Sequence, residues 1–320
     1  MKIYGTLGPA CARADILESM LRLGMTGLRL NLSHRTLEES AVQIEALREA
    51  ARRAAVQPDL LIDLQGPELR VGALKEPLAL REGERIALDA LHLPPEIREV
   101  LAAGQEILLD DGKLLLRACD RERANVLRGG LLRSRKSAAF PGLELSLPAL
   151  TESDRENLAC ARQYGVTGVM QPFVRSAEDL QAVRQALKEA GCPELRIFAK
   201  IENAAGLERL PELIAAADEI VIARGDLGNA MPLWELPGTQ KRIAAACRRA
   251  GRAFMVVTQM LASMEHSAVP TRAEVSDVYN AVLDGAASVM LTGETAAGEY
   301  PVEAMRYFVS TVRAAERDLP

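Results

Sequence analysis

Eight short apolar runs, separated by amphipathic helical patterns, leave this chain few architectures. The runs are KIYGTL (2–7), GLRLNL (27–32), DLLIDL (59–64), VTGVMQPF (166–173), LRIFAKI (195–201), EIVIAR (219–224), AFMVVT (253–258) and ASVMLT (287–292). Runs this short and this apolar suit strands buried on both faces of a parallel sheet. Between them lie helical patterns such as ADILESMLRLG, LEESAVQIEALREAARRA, SAEDLQAVRQALKEAG and LPGTQKRIAAACRRAG. Eight such units predict an α/β fold, a closed (β/α)8 TIM barrel, with an open doubly wound sheet as the weaker alternative. Ser153 with Glu156, and Thr271 with Glu274, carry the spacing of capping boxes. Gly24, Gly191 and Gly251 each stand where a helix end favours a left-handed residue.

The rhythm breaks between Val71 and Ala139. Short strand-like pieces (PLALREG, ERIALDA, QEILLDD, KLLLRA, RANVLRG) and the turn Asp111-Gly112 replace the helices there. That punctuation predicts a small β-barrel-like lid domain over 71–139, inserted into a barrel made of 1–70 and 140–320. An insertion at the functional face of a barrel is placed to act as a lid, though position alone fits a passive insertion equally well.

Composition narrows the function classes. A net charge of -5 gives no reason to expect nucleic acid or an anionic membrane as partner. Five cysteines without a CxxC pair and three histidines speak against a zinc site and a disulfide framework, and fit a reducing cytoplasm. The first strand begins within two residues of Met1, so no signal peptide is expected, and no apolar stretch has the length of a membrane span. The expected location is cytoplasmic.

Polar residues nevertheless gather where the apolar runs stop: Lys200, Glu202, Arg224, Asp226, Thr258, Thr292 and Glu294. In a barrel those carboxyl ends form one rim, where chemistry is placed. Residues two apart share a side of a strand, which pairs Lys200 with Glu202 and Arg224 with Asp226. It also sets Arg29, Asn31 and Ser33 opposite Leu28, Leu30 and Leu32. Glu202 and Asp226, on adjacent strands, are able to share one hard cation such as Mg²⁺. The Gly225-Asp226-Leu227-Gly228 turn opens towards a helix, where backbone N–H groups suit a carboxylate or phosphate. Lys200 suits an oxyanion or a transferring phosphoryl group; a Schiff base and a structural pair with Glu202 are the other readings. Arg29 and Arg70 carry charge suited to phosphate oxygens. Neither a Walker sequence nor a GxGxxG fingerprint occurs.

These residues resemble the pyruvate kinase family, in the same order along almost the whole chain. The motifs are TLGPA (6–10), RLNLSH (29–34), GPELR (66–70), DDG (110–112), SRK (134–136), PG followed by LSLPALTESD (141–154), AKIEN (199–203), ARGDLG (223–228), TQML (258–261), PTRAEVSDV (270–278), NAVLDGA (280–286) and GETA (293–296). The resemblance implies transfer of the phosphoryl group of phosphoenolpyruvate to ADP, giving ATP and pyruvate. It implies Glu202 and Asp226 as ligands of Mg²⁺ or Mn²⁺, Lys200 at the phosphoryl transition state, and Thr258 beside the enolate. Gly225 and Asp226 would take the substrate carboxylate. Arg29 would contact phosphate, with Thr6, His34, Arg70 and Lys136 on the nucleotide side. Asn31, Ser33, Asp63 and the Leu64 carbonyl match the family's K⁺ site, and Glu68 the acidic residue that accompanies K⁺ dependence. The departures are Leu64-Gln65 for a typical Thr-Lys, Gln171-Pro172 before Phe173-Val174-Arg175, Ser137 after Lys136, and Arg35 after His34. No carboxyl-terminal regulatory domain is expected, and hence none of its effector control; a homo-oligomer through the barrel helices is left open. Two other functions fit the same residues: a metal-dependent lyase working through a pyruvate enolate, and a non-catalytic metabolite-binding relative.

Overall fold

The computed structural model describes residues 1–33, 35–110, 112–143 and 147–319. They fall into two compact units: Met1–Gly66, Pro148–Arg224 and Trp234–Pro320 form the first, and Pro67–Leu147 with Gly225–Leu233 the second.

The first unit is a closed parallel barrel of eight strands: β1 (Lys2–Thr6), β2 (Gly27–Asn31), β3 (Asp59–Asp63), β4 (Gly168–Gln171), β5 (Arg196–Ile201), β6 (Glu219–Ala223), β7 (Ala253–Val257) and β8 (Ser288–Met290). Each strand pairs with its sequence neighbours, and β8 closes onto β1 with Ile3 opposite Val289. All eight apolar runs are therefore strands, and the barrel expectation holds. Helices at 14–23, 41–54, 152–164, 177–189, 236–249, 272–283 and 301–317 are each buried along one side, the expected way for an amphipathic helix to cover a sheet. Between β5 and β6 the helical layer is split into 204–208 and 210–216, and Pro211 sits in the first turn of the second piece, where its missing N–H costs nothing. Among the described residues no helix is long and apolar enough to cross a membrane.

Helix ends follow local chemistry. Gly24, Gly191 and Gly251 all have positive φ, as expected. Thr271 and Glu274 form their capping box. The box expected at Ser153 and Glu156 belongs instead to Thr151 and Asp154. Both pairs have the right spacing, and a tertiary contact selects the earlier one: the Asp154 carboxylate also receives the N–H groups of Gln65 and Gly66 at 2.7 and 3.0 Å.

The barrel interior is built in layers. Tyr4, Leu61, Met170, Phe198, Val221, Met255 and Met290 lie in one buried cluster inside it. Gly27 makes room for Tyr4: a Cβ there would stand 2.7 Å from its ring. Below that layer, at the amino ends, sit Lys2, Asp59, Arg196, Glu219 and Ser288. Asp59 Oδ2 accepts from the Tyr4 hydroxyl and from Lys2 Nζ, at 2.9 and 3.0 Å. Glu219 takes Arg196 at 2.7 Å and the Ser288 hydroxyl.

The second unit is antiparallel β structure. One five-stranded sheet has 138–139, 106–109, 114–118, 123–128 and 85–87 in spatial order, and a second sheet pairs 78–80 with 130–132. Leu88, Leu91, Ile107, Leu116 and Val126 are at the centre of its own core. Gly112 turns the 106–109/114–118 hairpin with φ 75°; Asp111, its expected partner in the turn, lies outside the described residues.

Candidate active site at the barrel mouth

Strand alternation determines which residues reach the mouth. Leu61 and Phe198 point into the interior, so Asp63 and Lys200, two residues further along, point inward one layer nearer the carboxyl ends. Tyr4 brings Thr6 to that level in the same way, and Gly27 brings Arg29. Charged residues thus occupy a layer that Val, Ile or Leu would fill in a purely structural barrel.

They pair with one another. Lys200 Nζ lies 3.1 Å from Asp63 Oδ2 and 2.9 Å from Glu202 Oε1. Arg29 donates to the same Asp63 oxygen from Nε at 2.8 Å, and its Nη2 lies 2.7 Å from that oxygen. The four side chains are 1–14% exposed. Each of the two cations faces a carboxylate, which offsets part of the cost of burying charge in a barrel interior. Glu202 Oε2 accepts the N–H of Phe173 at 2.8 Å. Thr6 is buried, and its hydroxyl donates to the Leu291 carbonyl at 2.9 Å. Asn31 Oδ1 accepts the Ser33 N–H at 3.1 Å, and the Leu64 N–H is bonded to the Met170 carbonyl.

Charge by itself does not distinguish mouth from floor, because the amino-terminal layer is charged too. Backbone conformation does. In the barrel unit four described non-glycine residues are left-handed: Ala55, Phe173, Thr258 and Gln259. Ala55 caps a helix. The other three follow the carboxyl ends of β4 and β7. Each costs on the order of 1–3 kcal/mol, and such costs concentrate at functional sites. Left-handed Phe173 is the residue whose N–H meets Glu202, and Thr258 (φ 72°) donates its hydroxyl to the Val257 carbonyl at 2.5 Å.

Two other rim residues anchor their neighbours. Glu294 is buried; its Oε1 accepts from Leu261 N at 3.0 Å and its Oε2 from Thr292 N at 2.7 Å, tying the loops after β7 and β8 together. Arg224 donates to Asp277 and to the Thr258 carbonyl. The expected strand-side pairing of Arg224 with Asp226 does not apply, because the chain becomes a single helical turn, Arg224–Leu227, as soon as β6 ends. Gly225 and Asp226 lie in that turn.

In the second unit, Arg70 pairs with Glu68 at 2.7 Å and donates to the Arg135 carbonyl at 2.9 Å. Lys136 pairs with Asp110 at 2.7 Å. Burial raises the Asp110 pKa, and Lys136 and Lys113 together outweigh it, so the group lies below the usual carboxylate range. His34 lies outside the described residues.

Residues 1–305 match the family described as pyruvate kinase, barrel domain. The chain belongs to the pyruvate kinase family. It is 38% identical to a pyruvate kinase of Geobacillus stearothermophilus, over 95% of this chain and 55% of that protein. Against the pyruvate kinase of Aeropyrum pernix it is 38% identical over 100% of this chain and 71% of the other. With that of Methylorubrum extorquens the identity is 40%, over 99% and 69%. The chain therefore spans between about half and three quarters of the length of these relatives.

Within this pyruvate kinase-family barrel, three supporting residues had no assigned role in the sequence reading. Asp154 holds the loop after β3, Phe173 supplies an N–H to Glu202, and Asp277 receives Arg224. Asp154 alone left a local signal, since Thr-Glu-Ser-Asp has capping-box spacing. The roles of Phe173 and Asp277 depend on partners 29 and 53 residues away.

Proposed function

We propose that this chain transfers the phosphoryl group of phosphoenolpyruvate to ADP, yielding ATP and pyruvate. The supporting observation is Lys200, held in the innermost layer of the mouth between Asp63 and Glu202. An ammonium fixed by two buried carboxylates is preorganised to meet charge on a phosphoryl group or an enolate oxygen. Phosphoryl transfer needs positioning and charge neutralisation more than covalent chemistry.

In this reading Lys200 and Arg29 neutralise the phosphoryl oxygens while the ADP β-phosphate oxygen displaces the enolate. Thr258 stands beside the enolate carbon and assists its protonation, directly or through water. Gly225 and Asp226 bind the substrate carboxylate. Thr6, Arg70, Lys136 and His34 serve the nucleotide.

Glu202 and Asp226 would hold Mg²⁺ or Mn²⁺, which when bound neutralises phosphate charge. The donor chemistry fits. Glu202 offers hard carboxylate oxygens, the donor type Mg²⁺ prefers. Among the described residues no group of three His, Cys, Asp or Glu forms a protein-only cage. Mg²⁺ is commonly held by one or two carboxylates plus substrate oxygens. Asn31, Ser33, Asp63 and the Leu64 carbonyl would bind K⁺, an all-oxygen set suited to a hard monovalent cation.

The deciding experiment supplies purified protein with phosphoenolpyruvate, ADP and Mg²⁺, with and without K⁺, and follows ATP. The expected result is ATP formation that requires Mg²⁺ and rises with K⁺. Nucleotide-independent turnover of an oxo acid without ATP formation would replace this reading by a lyase.

A further inference from the structure

The chain leaves β7 at Val257 and takes two consecutive left-handed steps, Thr258 at φ 72° and Gln259 at φ 53°. Neither is glycine or asparagine, so the conformation must be held from outside. Arg224 reaches it. Its Nε and Nη2 both donate to the Thr258 carbonyl, at 3.2 and 2.7 Å, and Nη2 also lies 2.9 Å from Met260 Sδ. Its Nη1 donates to Asp277 Oδ2 at 2.6 Å, on the helix Arg272–Leu283. The same helix clamps the far end of the loop. Glu274, besides closing its capping box with Thr271, accepts Ser263 N at 2.7 Å and Ser263 Oγ at 2.6 Å.

We propose that Arg224, backed by Asp277, is a positioning residue that holds the Thr258 peptide left-handed and thereby sets where the Thr258 hydroxyl stands at the barrel mouth. One observation separates this from a routine ion pair. The guanidinium spends two of its donors on one carbonyl, at the peptide that carries the strain. Its charge is matched by Asp277. A guanidinium fork can grip a carbonyl and a carboxylate at once in a fixed plane; a lysine ammonium cannot reproduce that geometry. The inference rests on the reading of Thr258 as the group beside the enolate.

The test uses Arg224→Lys, Arg224→Gln and Asp277→Asn in the full chain. Readouts are kcat, KM for each substrate, exchange of the pyruvate methyl protons with D2O, and the Thr258 φ in variant crystal structures. The Arg224 variants are expected to lower kcat and methyl-proton exchange at least tenfold, with KM for ADP within about twofold and Thr258 returned to negative φ. Asp277→Asn is expected to fall between them and the parent. Thr258 remaining left-handed in Arg224→Lys or Arg224→Gln would overturn the proposal. So would a kcat within twofold of the parent, even with lowered thermal stability. If the Gln variant does not fold, the Lys and Asn variants decide. If the parent makes no ATP, the proposed function falls, and the Thr258 φ in the variants still decides the positioning.

Discussion

Lys200 on β5 reaches Asp63 on β3 at 3.1 Å across the intervening strand β4, while Arg29 on β2 holds the same carboxylate from the other side. Asp63 is thus the common anchor of both cations at the mouth, and Lys200 also carries Glu202.

Lys200→Met should lower kcat by about 10²–10³, the scale of losing one transition-state donor. It also removes a cation from Glu202, and breaking a buried pair is costly because it strands the partner. Stability should fall, and adding Glu202→Gln should restore part of it. Denaturant unfolding of the single and double variants measures this coupling. Equal midpoints in the two would remove the pairing from the account.

Glu202 and Glu294 are both buried carboxylates at strand ends, with different work. Glu202→Gln should raise the half-saturating Mg²⁺ concentration about tenfold or more. Glu294→Gln should leave it within about twofold and instead cost roughly 1–3 kcal/mol, the penalty of disturbing charged acceptors of two backbone N–H groups. Mg²⁺ titrations paired with urea melts distinguish the two; a shared shift in Mg²⁺ dependence would contradict the assignment.

Asp154→Asn tests the loop after β3. The carboxylate takes N–H groups from Gln65, Gly66 and Thr151 and the Thr151 hydroxyl, and carboxamide nitrogen cannot accept any of them. Loosening that loop should move the Leu64 carbonyl. The half-saturating K⁺ concentration is expected to rise several-fold, along with a stability loss on the order of 2 kcal/mol. Unchanged K⁺ activation would separate the loop from the cation.

Glu219 on the barrel floor gives a pH signature. Burial holds its pKa above the ordinary 4.5, with Ser288 and Arg196 acting in the opposite direction. A carboxyl whose folded pKa is raised contributes stability that is fully present below the unfolded value and is lost as pH rises through the folded value. Relative to the parent, Glu219→Gln should therefore gain stability as pH climbs above about 4.5. Melting curves of both proteins across that range check it, and a pH-independent difference would refute it.

Much of this was readable in one dimension. Buried parallel strands must be apolar throughout, so eight such runs spaced by amphipathic helices left little besides a barrel, and the polar endings at Lys200 and Glu202 marked its rim. The rim alone, however, was an incomplete signal. The floor carries Lys2, Asp59, Arg196 and Glu219, which the same pattern would have marked had amino ends been weighed. The strand alternation also overran its range at Arg224, where the backbone had already become helical.

Sequence alone determined the strand count and the gathering of polar residues where the strands end, because the hydrophobic demand of a buried sheet is a local property. Only the tertiary structure decided who pairs with whom: Asp63 with two cations, Asp154 with the loop at 65–66, Arg224 with the left-handed Thr258 peptide. Those choices rest on distances between segments far apart in the chain, and a buried charge or orphaned carbonyl is satisfied by whichever group the closed barrel brings within reach.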